Sequence, residues 1–69
     1  MKNKYTVFCN DSEILNIFLD YIYRKKYLKK ILQKNDKSSP YYSIIEISLK
    51  KSDLENIIKK KFKNVILLR

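Results

Sequence analysis

The chain has 69 residues, 16 Lys and Arg against 7 Asp and Glu, and a net charge of +9. That length accommodates one small domain, residues 1–69, and excludes the large catalytic folds. With no His and one Cys, an internal disulfide and a structural zinc site are excluded too.

The composition is skewed toward A+T-rich codons: 14 Lys, 10 Ile, 6 Asn and 6 Tyr, with no Gly, Ala or Trp and only 2 Arg. Such coding is expected of low-G+C bacteria, their phages and other mobile elements, and some eukaryotic parasites. Hydrophobic residues at 45% and charged residues at 33% describe a globular domain rather than a disordered basic tail. A core this small supplies roughly 3–5 kcal/mol, so self-association or docking on a partner is expected to support it. The N-terminal apolar stretch is too short for a signal peptide. The longest purely apolar run, residues 65–68, is far short of the roughly 20 residues of a membrane span. A soluble, cytoplasmic protein without membrane partners is expected, in the host cytoplasm if a phage encodes it.

Residues 4–9 alternate weakly and are rich in β-formers, which predicts a strand. Asn10 as N-cap would place Glu13 at N3, a capping box, and open a helix running to Gln33 or Lys34. Asn35 would end that helix in the left-handed conformation, and residues 35–40 would form the loop. On the helix, Ile14, Ile17, Phe18, Tyr21 and Ile22 cluster on one face, continued by Leu28 and Leu32. Lys25 and Lys29 fall in the middle of that face. Either the second half of the helix projects past the sheet with its lysine stems snorkelling, or those lysines face a ligand or partner, or the helix kinks near residues 23–26.

Residues 41–49 alternate clearly, with Ile45, Ile47 and Leu49 on one side and Tyr42, Ile44, Glu46 and Ser48 on the other. Ser52 to Glu55 reads as a second capping box. Leu54, Ile57, Ile58 and Phe62 then form a helical stripe that ends at Asn64. Residues 65–68 read as a short strand buried on both faces. The sum is an α/β or α+β domain of order β-α-β-α-β: three strands, parallel through their crossovers, with two helices packed on the sheet. With both helices on one face, the other would expose Phe8, Tyr42 and Ile44. That face is apolar enough to suit a homodimer or another partner.

Catalytic chemistry has little to work with. There is no His to act as a base near neutral pH and no Gly for a phosphate-cradling loop. The acids near the helix starts are explained by capping. Cys9 precedes a helix N-terminus, where a thiol can become reactive, but a lone Cys more often packs as a small hydrophobe. A non-enzyme without metal or cofactor is expected.

The charge begins abruptly at Arg24: residues 1–20 carry a net −1 and residues 21–40 a net +6. On the long helix, Tyr23, Lys26, Tyr27, Lys30 and Lys34 would form one strip of cations with interleaved aromatics, suited to phosphates and stacked bases. The plainer explanation is a solvated face in an A+T-rich gene, and the scarcity of Arg favours it. Lys59, Lys60 and Lys63 form a second basic cluster, which the helix dipole also explains. Tyr42, outward on the sheet, could stack a base. Two functions follow. One is a small nucleic-acid-binding module for RNA, single strands or a ribonucleoprotein. The other is a phage or mobile-element inhibitor of a host protein, such as a CRISPR effector or another nucleic-acid enzyme. A ribosomal or complex-assembly subunit is a weaker third.

Overall fold

A computed structural model describes residues 3–69. The elements run β1 (Asn3–Cys9), α1 (Ser12–Arg24), β2 (Leu28–Asn35), β3 (Tyr41–Ile47), α2 (Lys51–Lys61) and β4 (Ile66–Leu68). The sheet order is β2-β3-β1-β4, and every neighbouring pair is antiparallel. This corrects the expected three parallel strands: the domain is α+β, with a fourth strand where the second half of the first helix was expected. Two β-α-β units interleave, the ferredoxin-like arrangement.

The helix stops early because the backbone reverses at Lys26, which has a φ of 62°. Lys25 is the C-cap. The Lys26 amide then donates to the Tyr23 carbonyl at 3.0 Å and the Tyr27 amide to the Ile22 carbonyl at 2.9 Å. These are the two hydrogen bonds of a Schellman motif, and Tyr27 completes it by packing against the core that holds Ile22. Of the three alternatives for Lys25 and Lys29, the break near residues 23–26 is nearest, but it is a terminus rather than a kink. Asn35 is the last residue of β2 and takes no part in it.

The periodicity of residues 28–35 misleads for a structural reason. β2 pairs with β3 through two register shifts, between Leu28 and Lys30 and between Ile31 and Gln33. Each inserts an extra residue, so the residues on the helix side are Leu28, Ile31 and Lys34. They lie three apart instead of two, which imitates a helix.

Both helix starts differ from expectation by a residue or two. Asp11, not Asn10, caps α1: its Oδ1 accepts from the Glu13 amide at 2.8 Å and the Ile14 amide at 3.4 Å. At α2 the N-cap is Lys50, with no side-chain hydrogen bond, so Ser52 does not cap. Asp53 still supplies the negative charge that a first turn favours.

One core joins both helices to one face of the sheet. Val7, Cys9, Ile45, Ile47 and Ile66 come from the strands, Leu15, Phe18, Leu19 and Ile22 from α1, and Leu54 and Ile58 from α2. The inward positions of β3 are as the alternation predicts. The α1 stripe is rotated from its expected position, because extending the helix to Leu32 pulled the apparent apolar face toward Ile17, which is 60% exposed. Phe62 ties the helices together, with its ring 5.2 Å from Phe18 and 5.9 Å from Tyr21, both edge-to-face. Among the described residues, the one buried polar side chain in the core, Ser43, donates to the Gln33 carbonyl at 3.1 Å. Cys9 is buried as a small apolar residue. Residues 65–68 are not buried on both faces: Leu67 is 68% exposed, because β4 is an edge strand with one face uncovered. Among the described residues, no helix is long and apolar enough to cross a membrane.

Replacing Lys26 with Gly tests the helix end by sign. A left-handed non-Gly residue costs about 1–2 kcal/mol, and Gly gives back roughly 0.5–1 through its unfolded-state entropy. Lys26→Gly is therefore expected to raise the melting temperature by several degrees in a domain of this size. Inside a continuous helix the same change would lower it.

Candidate nucleic-acid interface

Antiparallel pairing sets the uncovered face of the sheet in rows. Lys30, Glu46 and Lys4 form one row across β2, β3 and β1. Gln33, Ile44 and Thr6 form the next, and Arg69 extends it by exchanging backbone hydrogen bonds with Thr6 at 2.7 and 2.8 Å. Asn35, Tyr42, Phe8 and Leu67 form the third. The face is thus polar and charged at one end and aromatic at the other. Among the described residues, neither helix covers it.

Phe8 and Tyr42 lie directly opposite each other on the two central strands, with ring centroids 6.0 Å apart and planes tilted by 48°. The Gln33 side-chain amide donates to the Tyr42 hydroxyl at 2.9 Å, which holds that ring from the β2 side. On the other side, Phe8, Pro40 and Leu67 border a shallow hollow of about 510 Å³. Pro40 belongs to the loop of residues 36–40. That loop is organised by Asn35, whose side-chain amide donates to the Ser38 and Pro40 carbonyls at 2.9 and 3.2 Å. The result is a half-buried aromatic pair with open space at its edge and cations at the margins.

The structure breaks up the strip of tyrosines and lysines expected on the first helix, because that helix ends at Arg24. Tyr23 is 68% exposed on its last turn, and Lys26 occupies the turn beyond. Tyr27 packs on the core, and its carbonyl accepts from the Ser48 amide at 2.9 Å. Lys34 points to the helix side and donates to the Asn16 side chain at 2.6 Å. Only Lys30 and Tyr42, among the expected binding residues, share the uncovered face. Lys59 and Lys60 lie in the last turn of α2 and Lys63 follows at a φ of 50°, so that cluster belongs to the helix layer. Lys4 and Arg69 were missing from the expected set, and Phe8 was expected on the open face with Tyr42 as a surface for a dimer or partner rather than for bases. The alternation of β1 already places Phe8 and Lys4 outward, but the antiparallel register that sets Phe8 beside Tyr42 depends on the unforeseen fourth strand.

Among the described residues, no group of three or more His, Cys, Asp or Glu side chains is placed to hold a metal ion. No family model, curated protein or solved structure matches the chain.

The two faces of the sheet are expected to tolerate truncation differently. Phe18 is fully buried, and Phe18→Ala should cost about 3–5 kcal/mol, as much as a core of this size provides. Phe8→Ala and Tyr42→Ala remove half-buried rings and should cost roughly 1 kcal/mol each. Proton NMR dispersion should collapse in the first variant and persist in the other two.

Proposed function

We propose that this chain is a non-enzymatic module that binds single-stranded nucleic acid on the uncovered face of its sheet, with bases stacked on Phe8 and Tyr42. The observation that supports this reading is the cross-strand aromatic pair, 6.0 Å between centroids, on the open face of a chain with a net charge of +9. Aromatic rings accept any base, because every base has a π-face, and stacking contributes about 1–3 kcal/mol per base. A stacked duplex offers its base faces to no such platform, so the ligand class is single strands, loops or ends. Lys4, Lys30 and Arg69 lie where a backbone crossing the rows would bring its phosphates. The lysines of the helix layer act at longer range, by raising the local concentration of a polyanion.

The fold supports the reading by analogy only, since a four-stranded sheet with two helices behind it hosts many unrelated functions. In RNA-recognition domains, a sheet of this kind stacks bases on its aromatics. No base-specific contact is proposed. Affinity should depend steeply on salt and weakly on sequence.

Fluorescence anisotropy with labelled mixed-sequence RNA and DNA oligonucleotides, across a salt series, tests this. The Phe8→Ala/Tyr42→Ala double variant should bind at least about thirtyfold more weakly. Lys4→Ala and Lys30→Ala should each flatten the salt dependence by about one counterion. Tyr23→Ala, an exposed aromatic elsewhere, should bind as the parent does. If neither RNA nor DNA single strands bind at moderate salt, the reading is wrong. The apolar face then passes to a protein partner, as a phage or mobile-element inhibitor of a nucleic-acid enzyme would require.

A further inference from the structure

The chain builds a groove where it leaves α2. That helix ends at Lys61, and the turn beyond it runs through Lys63 and Asn64, both left-handed, at φ of 50° and 61°. The Asn64 amide donates to the Ile58 carbonyl at 3.2 Å and the Val65 amide to the Phe62 carbonyl at 3.0 Å. The turn closed by these bonds faces α1 across a groove of about 330 Å³, lined by Ile14, Ile17, Lys61, Phe62, Lys63 and Val65. Its apolar surface is left open: Ile17 is 60% exposed and Val65 46%.

The charge around the groove is one-sided. Lys59, Lys60, Lys61 and Lys63 fall within five residues, and no Asp or Glu follows Glu55. On the α1 side, Glu13 and Asp20 stand about one turn from Ile17, but Asp20 is already paired with Arg24 at 2.9 Å. The groove is therefore apolar inside, strongly basic along the α2 wall, and carries one net negative charge along the other.

We propose that this groove binds a short, acidic, amphipathic segment of a partner protein. Aliphatic side chains one helical turn apart enter the groove, and carboxylates on one flank meet Lys61 and Lys63. A helix laid in a groove is read through anchors of this spacing. Complementary charge selects the occupant. A second copy, with a net charge of +9, brings more cations instead. A nucleic acid has the negative charge but needs a ring face for its bases, and the one ring of the groove, Phe62, is engaged edge-to-face with Phe18 and Tyr21 at 5.2 and 5.9 Å. A lipid surface is met by side chains that protrude into it, whereas this site is concave. Ile14, Ile17 and Phe62 belong to the helix layer, so the groove and the open face with Phe8 and Tyr42 are separate surfaces.

The inference does not rest on nucleic-acid binding, which the signals of Phe8 and Tyr42 report separately. The probe is a labelled helical peptide with leucines on one face and glutamates beside them; a second peptide of the same charge has serine in place of leucine. Added to protein labelled with nitrogen-15, the leucine peptide should move the amide signals of Ile14, Ile17, Phe62 and Val65 and leave those of Thr6, Phe8 and Tyr42 in place. The serine peptide should bind at least about tenfold more weakly, and Ile17→Ser should weaken the leucine peptide by a similar factor. Because Ile17 is 60% exposed, that variant should keep the parent circular dichroism spectrum. Lys61→Gln/Lys63→Asn removes two charges with residues suited to a helix end and a left-handed turn, and should weaken the peptide several-fold. Lys29→Gln/Lys37→Gln removes the same charge from exposed sites elsewhere and should leave affinity within about twofold of the parent. Equal binding of the two peptides, or an equal loss in the two charge pairs, would reduce the effect to overall charge and overturn the proposal. So would Ile17 and Val65 signals that respond to single-stranded nucleic acid or to anionic phospholipid vesicles and not to the leucine peptide.

Discussion

The left-handed turn at Lys26 decides the fold. A chain without Gly has no inexpensive residue for that conformation, yet a lysine adopts it at a φ of 62°. What offsets the cost is the closure of the motif. Two backbone hydrogen bonds cap α1, and Tyr27 packs against the core where a helical continuation would have held it outside. Once the helix stops there, residues 28–35 are free to lie beside β3. The sheet gains its fourth strand, the pairing becomes antiparallel, and one face is left without helices. Phe8 and Tyr42 owe their direct cross-strand register to that sequence of events.

The parts legible in the sequence were those in which one strong pattern acted alone. The alternation of residues 41–47 gave the correct inward and outward sides of β3, because its pairing with β1 is regular. The apolar positions Leu54 and Ile58 of α2 were correct for the same reason. The failure at residues 28–35 came from two bulges, which replaced a period of two with one of three. Local propensity offered no correction, since Leu, Lys and Gln all favour helix. The stop signal was equally hidden, because the left-handed position is held by a lysine among lysines. One error produced the others: the lost strand, the parallel pairing, the rotated α1 stripe and the continuous basic strip of Tyr23, Lys26, Tyr27, Lys30 and Lys34.

Lysine excess reads differently once each residue has a place. Lys59, Lys60 and Lys61 sit where the dipole of α2 favours cations. Lys29, Lys30 and Lys34 guard an edge strand, and Lys34 also ties that strand to Asn16 of α1. Lys25 lies 5.9 Å from the centre of the Tyr21 ring. An A+T-rich gene supplies lysine readily, and the fold finds structural uses for it. The sum of charge therefore argues weakly for any one contact surface. What singles out the open face is an arrangement that codon usage does not explain: two aromatic rings in register on the central strands, one of them held by Gln33, with cations at the margin rather than in the middle.

The same reasoning separates the two edges. If lysine were distributed by codon supply alone, β4 should carry it as β2 does. Instead β4 is apolar, straight and short, in a domain whose core is too small to be generous with exposed leucine. An edge strand with outward backbone groups and a 68%-exposed leucine is a liability unless something covers it. For β2 the protection is built into the strand itself, at the expense of a regular ladder. For β4 the protection is brevity: the strand is three residues long, Ile66–Leu68, and a short edge offers another chain little to pair with.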